Sequence, residues 1–213
     1  MKATAAAPAD TIGMVFECGP QGADIQVCEY LARQLRPGIC IKSRTLDNKD
    51  NLLRDVGKVA AQLLKEGCVC VLVVWDLRPA WPDTKHKPCR AQERRAVLAR
   101  LTEAGLPAHA PVYPVCIAQE LESWLLANEK AISAYLSTAA RPYKAARVKS
   151  PDEVSQPKAV MLNHFQEARG WRYDDKVNAL SVLRATPVDL PRLRRSPSFA
   201  RFEAKFMACR ALM

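Results

Sequence analysis

The run Cys68–Trp75 (CVCVLVVW) constrains this chain more than any other segment. It is an unbroken apolar stretch, rich in Val and too short to span a membrane, and it suits a strand buried on both faces. Such a strand belongs inside a parallel sheet, and a parallel sheet needs helices on both sides.

The flanking sequence supplies them. Ile12–Phe16 reads as a buried first strand, followed by turn chemistry over Glu17-Cys18-Gly19-Pro20-Gln21-Gly22. Asp24 is placed to cap a helix over about 25–35, ended by Pro37-Gly38. Ile39–Ile41 reads as a short second strand. Leu52, Leu53, Val56, Val59, Ala60, Leu63 and Leu64 recur at helical spacing up to Gly67. After the central strand, a proline-broken loop over 77–88 leads to a helix over 90–104. Pro111–Ala118 follows as an edge or late-starting strand, because it carries two prolines. A single helix is predicted over Glu120–Leu136. The order β-α-β-α-β-α-β-α implies right-handed crossovers in one parallel sheet.

Past residue 140 the pattern changes. Prolines 142, 151, 157, 187, 191 and 197 punctuate short helical pieces near 157–168, 175–185 and 198–210. The expected organisation is a tail over 1–10, an α/β domain over 11–140 and a basic helical extension over 141–213 packed on it. Residues 1–140 hold 17 Lys and Arg against 15 Asp and Glu, whereas residues 141–213 hold 15 against 7. The positive field is therefore concentrated late in the chain, as an acidic partner such as nucleic acid would require; a solvated basic face is the plain alternative. Arg141, Lys144, Arg147, Lys149, Arg192, Arg194 and Arg195 are the candidate phosphate contacts. Trp171 and Tyr173, interleaved nearby, can stack bases or cover the core.

Composition narrows the class. At 49% hydrophobic and 25% charged, with no apolar run near 18 residues, the chain is expected to be soluble. The opening Met1-Lys2-Ala3-Thr4 lacks the apolar core of a secretion signal, so a cytoplasmic location is expected. Cysteines stand at 18, 28, 40, 68, 70, 89, 116 and 209, several inside expected strands and helices, as in a reduced protein using Cys as a small apolar residue. Cys68 and Cys70 alternate along the strand and are expected to share a face. Neither they nor His86-x-x-Cys89 has the second half-site that zinc needs.

In open parallel sheets, sites form beyond the carboxyl ends of the strands. Glu17 follows the first strand, Asp76 ends the third, and Glu120 and Glu122 follow the fourth. Carboxylates gathered there repel unless a cation joins them, and Mg²⁺ takes oxygen ligands of this kind. If Glu120 and Glu122 are extended, both face the site; if helical, they point about 200° apart and one joins. Glu17–Gly22 can hold a phosphate near a helix start but lacks the Lys-Ser/Thr ending of a Walker loop. Cys18 has no partner base in view, so an idle thiol outweighs a nucleophile.

Val15-Phe16-Glu17, Val73-Val74-Trp75-Asp76 and the segment Gln119-Glu120-Leu121-Glu122-Ser123-Trp124-Leu125-Leu126-Ala127-Asn128 together resemble a bacterial family of Toprim-like proteins, the domain of unknown function 4276 family. Ser150–Val154, Pro157-Lys158 and Ser196-Pro197-Ser198-Phe199-Ala200-Arg201-Phe202 resemble its C-terminal pattern, so the likeness covers nearly the whole chain. Toprim domains hold Mg²⁺ with a Glu after the first strand and an Asp-x-Asp after the third. The resemblance therefore implies a Mg²⁺- or Mn²⁺-dependent protein that cleaves nucleic-acid phosphodiesters, acting with an ATPase partner in phage defence. Glu17 matches the first acid and Asp76 the first Asp of the pair. The second position is Arg78, which cannot ligate a cation but can steady a phosphate. Asp83, in the same loop, is a candidate substitute carboxylate outside the implied set, and Asn128 stands where the family commonly has Asp. The implied catalytic set is Glu17, Asp76 and Arg78, and the implied metal set is Glu17, Asp76, Glu120 and Glu122. The alternative is a degraded site that binds nucleic acid or the ATPase without cleaving. A protein that binds a small phosphorylated molecule is the third reading, since fold alone does not decide function.

Overall fold

The computed structural model describes residues 10–80 and 87–209. The expected tail before Asp10, Asp83 and His86 lie outside the described residues. Four strands, β1 (Thr11–Phe16), β2 (Cys40–Thr45), β3 (Cys70–Asp76) and β4 (Val112–Ile117), form one all-parallel sheet in the order β2-β1-β3-β4. Helix α1 (Ala23–Leu35) joins β1 to β2, α2 (Lys49–Lys65) joins β2 to β3, and α3 (Arg90–Glu103) joins β3 to β4. Then come α4 (Glu122–Leu126), α5 (Glu129–Leu136), a 3₁₀ turn over Pro151–Glu153, α6 (Pro157–Arg169), α7 (Asp175–Arg184), α8 (Leu190–Leu193) and α9 (Pro197–Ala208).

Strand alternation sorts the core into two layers. Val15, Val71, Val73 and Trp75 face α2 and α3, packing on Leu52, Val56, Leu63, Val97 and Leu101. Met14, Phe16, Leu72 and Val74 face the other way, onto α1 and the helices after β4, where Trp124, Phe165, Phe199, Phe202 and Phe206 are fully buried. Residues beyond 140 thus share a core with the sheet. The chain leaves β1 along one face and returns to β3 along the other, so the winding reverses between these neighbouring strands. Glu17 and Asp76 emerge on either side of that crevice.

Local chemistry accounts for the departures from expectation. Helix 120–136 is two helices, because the Asn128 side chain accepts from Ala131 N and starts α5 afresh. Asp24 is not a cap: α1 begins at Ala23 after Gly22, and Asp24 lies in its first turn. The second strand is longer than Ile39–Ile41; CIKSRT is too polar to read as a strand, yet it pairs with β1 from end to end. Cys68 precedes β3 and packs with Val71 and Val73, whereas Cys70 packs on the opposite face, so the two do not share a side. The thiols are not all free either: Cys70 is bonded to Cys209, just past α9, with Cα atoms 5.7 Å apart. Among the described residues, no helix is long and apolar enough to cross a membrane.

Candidate functional site

The pocket is built by three strand ends and two later helices. Strand β1 ends at Phe16 and delivers Glu17, whose N–H donates to Val74 O of β3 (3.3 Å). The chain then turns tightly, Gly22 N–H donating to Gly19 O at 2.8 Å. Only glycine fits position 22, because a Cβ there would stand 2.4 Å from Cys18 Sγ. The turn starts α1 against one face of the sheet and places Asp24 in its first turn, where its charge acts on Asp76. Asp76 is the last residue of β3, and the two residues after it are laced to the end of β4. Leu77 N–H donates to Ile117 O and Arg78 N–H to Gln119 O (2.9 and 2.8 Å). Gln119 adopts φ 64°, a conformation disfavoured for a side chain of its kind, and its Oε1 accepts from Arg78 Nε at 2.6 Å. That bend aims Glu120 and Glu122 at the β3 end. Lys49 supports the same turn from behind, donating to Pro79 O at 2.7 Å and to Leu77 O at 3.3 Å.

Four carboxylates act on Asp76. Burial raises its pKa well above the ordinary carboxylate range first, and the charges of Asp24, Glu17, Glu122 and Glu120 then raise it further. Glu17 is pushed up to about 8, by burial foremost; Lys49 opposes the shift while Asp24 adds to it. Burial lifts Asp24 to about 6 and Glu122 to about 7. Glu17 Oε2, Asp24 Oδ1 and Asp76 Oδ1 are closed to solvent without a hydrogen-bond partner among the described residues. Leaving a buried carboxylate oxygen unpaired costs on the order of 1–3 kcal/mol, so this arrangement does not serve stability.

Lys158 on α6 provides a counter-charge. Its Nζ lies 2.7 Å from Asp175 Oδ1 at the start of α7, and its backbone N–H donates to Glu120 Oε2 at 3.3 Å. Burial disfavours the ammonium, but Asp175, Glu122 and Glu120 outweigh that and hold its charge. Two clefts open at this end of the sheet. One, of about 500 Å³, lies along Gly19–Asp24 with Asp47 and Asp175; the other, of about 370 Å³, has Arg78, Glu120 and Lys158 in its wall.

Glu17, Glu120 and Glu122, expected to meet Asp76, each lie within electrostatic reach of it. Both glutamates take part because Glu120 precedes α4 and Glu122 opens it, so the choice between extended and helical geometry does not arise. Among the described residues, no three or more acidic, His or Cys side chains stand as a ready-made metal-binding group. The donor set is nevertheless all carboxylate oxygen, the ligand chemistry that a hard cation takes. Arg78 is exposed at the rim, its terminal nitrogens without a partner among the described residues. Burial, then Asp24, raise the Cys18 thiol far above its ordinary range, which disfavours the thiolate a nucleophile needs. Asn128 is buried as a helix cap rather than a site group.

The basic candidates divide. Arg141, Lys144, Arg147 and Lys149 are exposed on the stretch before the 3₁₀ turn. Arg192 and Arg195 both pair with Glu129, and Arg194 forks onto Glu203 (2.7 Å for each bond). The fold therefore already engages these three. Asp24, Lys158 and Asp175 were not expected at the site. Asp24 looked like an ordinary helix cap, and Lys158 and Asp175 are more than 130 residues from Glu17 in sequence.

The family described as Domain of unknown function (DUF4276) matches residues 21–206. No curated protein and no solved structure matched the chain.

Proposed function

The chain belongs to the DUF4276 family, a membership that assigns no activity, and from its acid pocket we propose that it is a Toprim-like, divalent-cation-dependent protein that cleaves nucleic-acid phosphodiesters. One observation carries the reading. Three buried carboxylate oxygens, from Glu17, Asp24 and Asp76, lack partners among the described residues at the point where the sheet's winding reverses. A fold maintains such an arrangement for a ligand, and the ligand that satisfies converging carboxylates is a hard cation.

Glu17, Asp76 and Asp24 would hold Mg²⁺ or Mn²⁺, with Glu120 and Glu122 completing the shell through water. A cation bound there supplies charge to a phosphoryl oxygen and lowers the pKa of a bound water. Arg78, anchored by Gln119 and with its terminal nitrogens unpaired among the described residues, would orient a phosphate at the mouth of the pocket. Lys158, held charged by three acids, would face the same phosphate from α6. Arg141, Lys144, Arg147 and Lys149 would contact the backbone of a longer substrate. An ATPase partner and a role in phage defence complete the proposal, on the resemblance alone.

The test is incubation of purified protein with single- and double-stranded DNA and RNA, with and without Mg²⁺ or Mn²⁺. Cation-dependent cleavage abolished by Asp76→Asn supports the reading. Cleavage undiminished in Asp76→Asn rejects the site. A second reading, a binding module without cleavage, is favoured by Arg78 at the place of a second ligand. It predicts salt-sensitive binding and no products with any cation.

A further inference from the structure

We infer that a groove along the β4 edge, lined by none of the residues of the two acid clefts, binds a small molecule carrying two or more adjacent phosphate groups. Two helices make its walls. Arg90, Arg94 and Arg95 project from the start of α3, and Arg201 and Lys205, one helical turn apart, project from α9. Trp75, Pro114 and Cys116 form an apolar floor, and the cavity encloses about 380 Å³. That volume falls within the range of small-molecule sites, roughly 300–1,000 Å³.

The state of these cations differs from that of the arginines around α8. Among the described residues, none of the five is in an ion pair, whereas Arg192, Arg194 and Arg195 all are. Arg95 Nε reaches only Ala91 O, and Lys205 Nζ donates to Pro114 O. The neighbouring acids are turned to other partners. Glu93 accepts from Trp75 Nε1 at 2.8 Å, and Asp152 accepts from Ser198 N at 2.7 Å. Arg201 and Lys205 are half-buried, and burial followed by the surrounding cations makes the charge on each costlier. Like charges crowded into one concave site, with no ion pair among the described residues and Asp152 acting against them on Arg201, favour an anion.

Geometry selects a compact anion over a nucleic-acid strand. A phosphodiester strand carries one charge per nucleotide, whereas adjacent phosphate groups concentrate several charges within one small cavity. Single strands also require an exposed aromatic face for base stacking. Here the Trp75 ring is 2% exposed, with its N–H committed to Glu93.

The test is calorimetric titration of the metal-free protein with pyrophosphate, inorganic phosphate and a single-stranded 20-mer. Leaving out metal removes any cation-bridged phosphate binding at the acid pocket. Pyrophosphate is expected to bind at least tenfold more tightly than phosphate. Arg201→Gln and Arg94→Gln should each weaken it at least tenfold, while Arg147→Gln and Asp76→Asn leave it unchanged. Arg94 is exposed, so its variant keeps the test valid if Arg201→Gln does not fold. Absence of saturable pyrophosphate binding, equal loss in Arg147→Gln, or preference for the 20-mer overturns the inference. Because no cation or cleavage is involved, its failure and that of the acid-pocket reading are separate results.

Discussion

Two buried polar clusters in this molecule treat their oxygen atoms in opposite ways. Around Trp124 the indole N–H, two serine hydroxyls and the Asp152 carboxylate are matched to one another. Trp124 Nε1 donates to Ser198 Oγ at 2.8 Å, Ser198 N and Oγ donate to Asp152 at 2.7 and 3.0 Å, and Ser196 Oγ also donates to Asp152. The indole packs edge-on to Phe199 at 5.4 Å and against Phe202 at 5.3 Å. Beyond the strand ends, Glu17, Asp24 and Asp76 each leave a buried oxygen unmatched. Both clusters draw on the motifs that carry the family likeness. One half of that likeness therefore concerns stability, with Trp124 and the Ser-Pro-Ser-Phe segment locking α4 to α9. The other half leaves buried oxygens without partners among the described residues, the feature on which the proposed site rests.

This contrast can be broken or sharpened by measurement. The largest expected effect is at the matched cluster. Trp124→Ala should cost about 3–5 kcal/mol, roughly 10 °C or more in Tm, in chemical or thermal unfolding. An effect below about 1 kcal/mol would mean the cluster is not a lock. The next concerns pH. Glu17, Asp24 and Glu122 have folded pKa values raised to about 8, 6 and 7, above their ordinary 4.5, 3.8 and 4.5. The folded state therefore holds protons that the unfolded chain releases. Their contribution is fully present below about pH 4 and is lost as pH rises through about 8, on the order of a few kcal/mol. Mg²⁺ should reverse the loss at pH 8, and a stability profile flat from pH 5 to 8 contradicts the pocket. Asp76→Asn should raise stability by about 1–2 kcal/mol without cation while abolishing cation binding, as read by melting with and without Mg²⁺. The smallest effect is at the surface: Arg147→Gln should move stability by less than about 0.5 kcal/mol. It should also reduce the salt slope of nucleic-acid binding by about one.

The layered α/β architecture was legible wherever apolar periodicity was strong. Cys68–Trp75 announced a central strand because it is buried on both faces, and the helix over Lys49–Lys65 showed its apolar stripe. Strand β2 was only partly legible: at the edge of the sheet its residues meet solvent, and its pairing with β1 is made by backbone groups that side chains do not report. The split at Asn128 was illegible for a related reason. One side-chain acceptor ended a helix that composition alone would continue. At the site, Glu17, Asp76, Glu120 and Glu122 were foreseeable from their places after strands. Lys158 and Asp175 were not, because their helices reach the pocket only through the packing of α6 and α7 on the rest of the core.

The amino-acid order by itself determined the alternation of strands and helices and the arrival of acids at successive strand ends, because both follow from local periodicity and from the direction shared by parallel strands. Which acids share a pocket, which arginines are spent on internal partners and which remain unmatched were decided only by tertiary packing. Those outcomes depend on burial and on distances between groups far apart in the chain, and neither is a property of any short stretch of it.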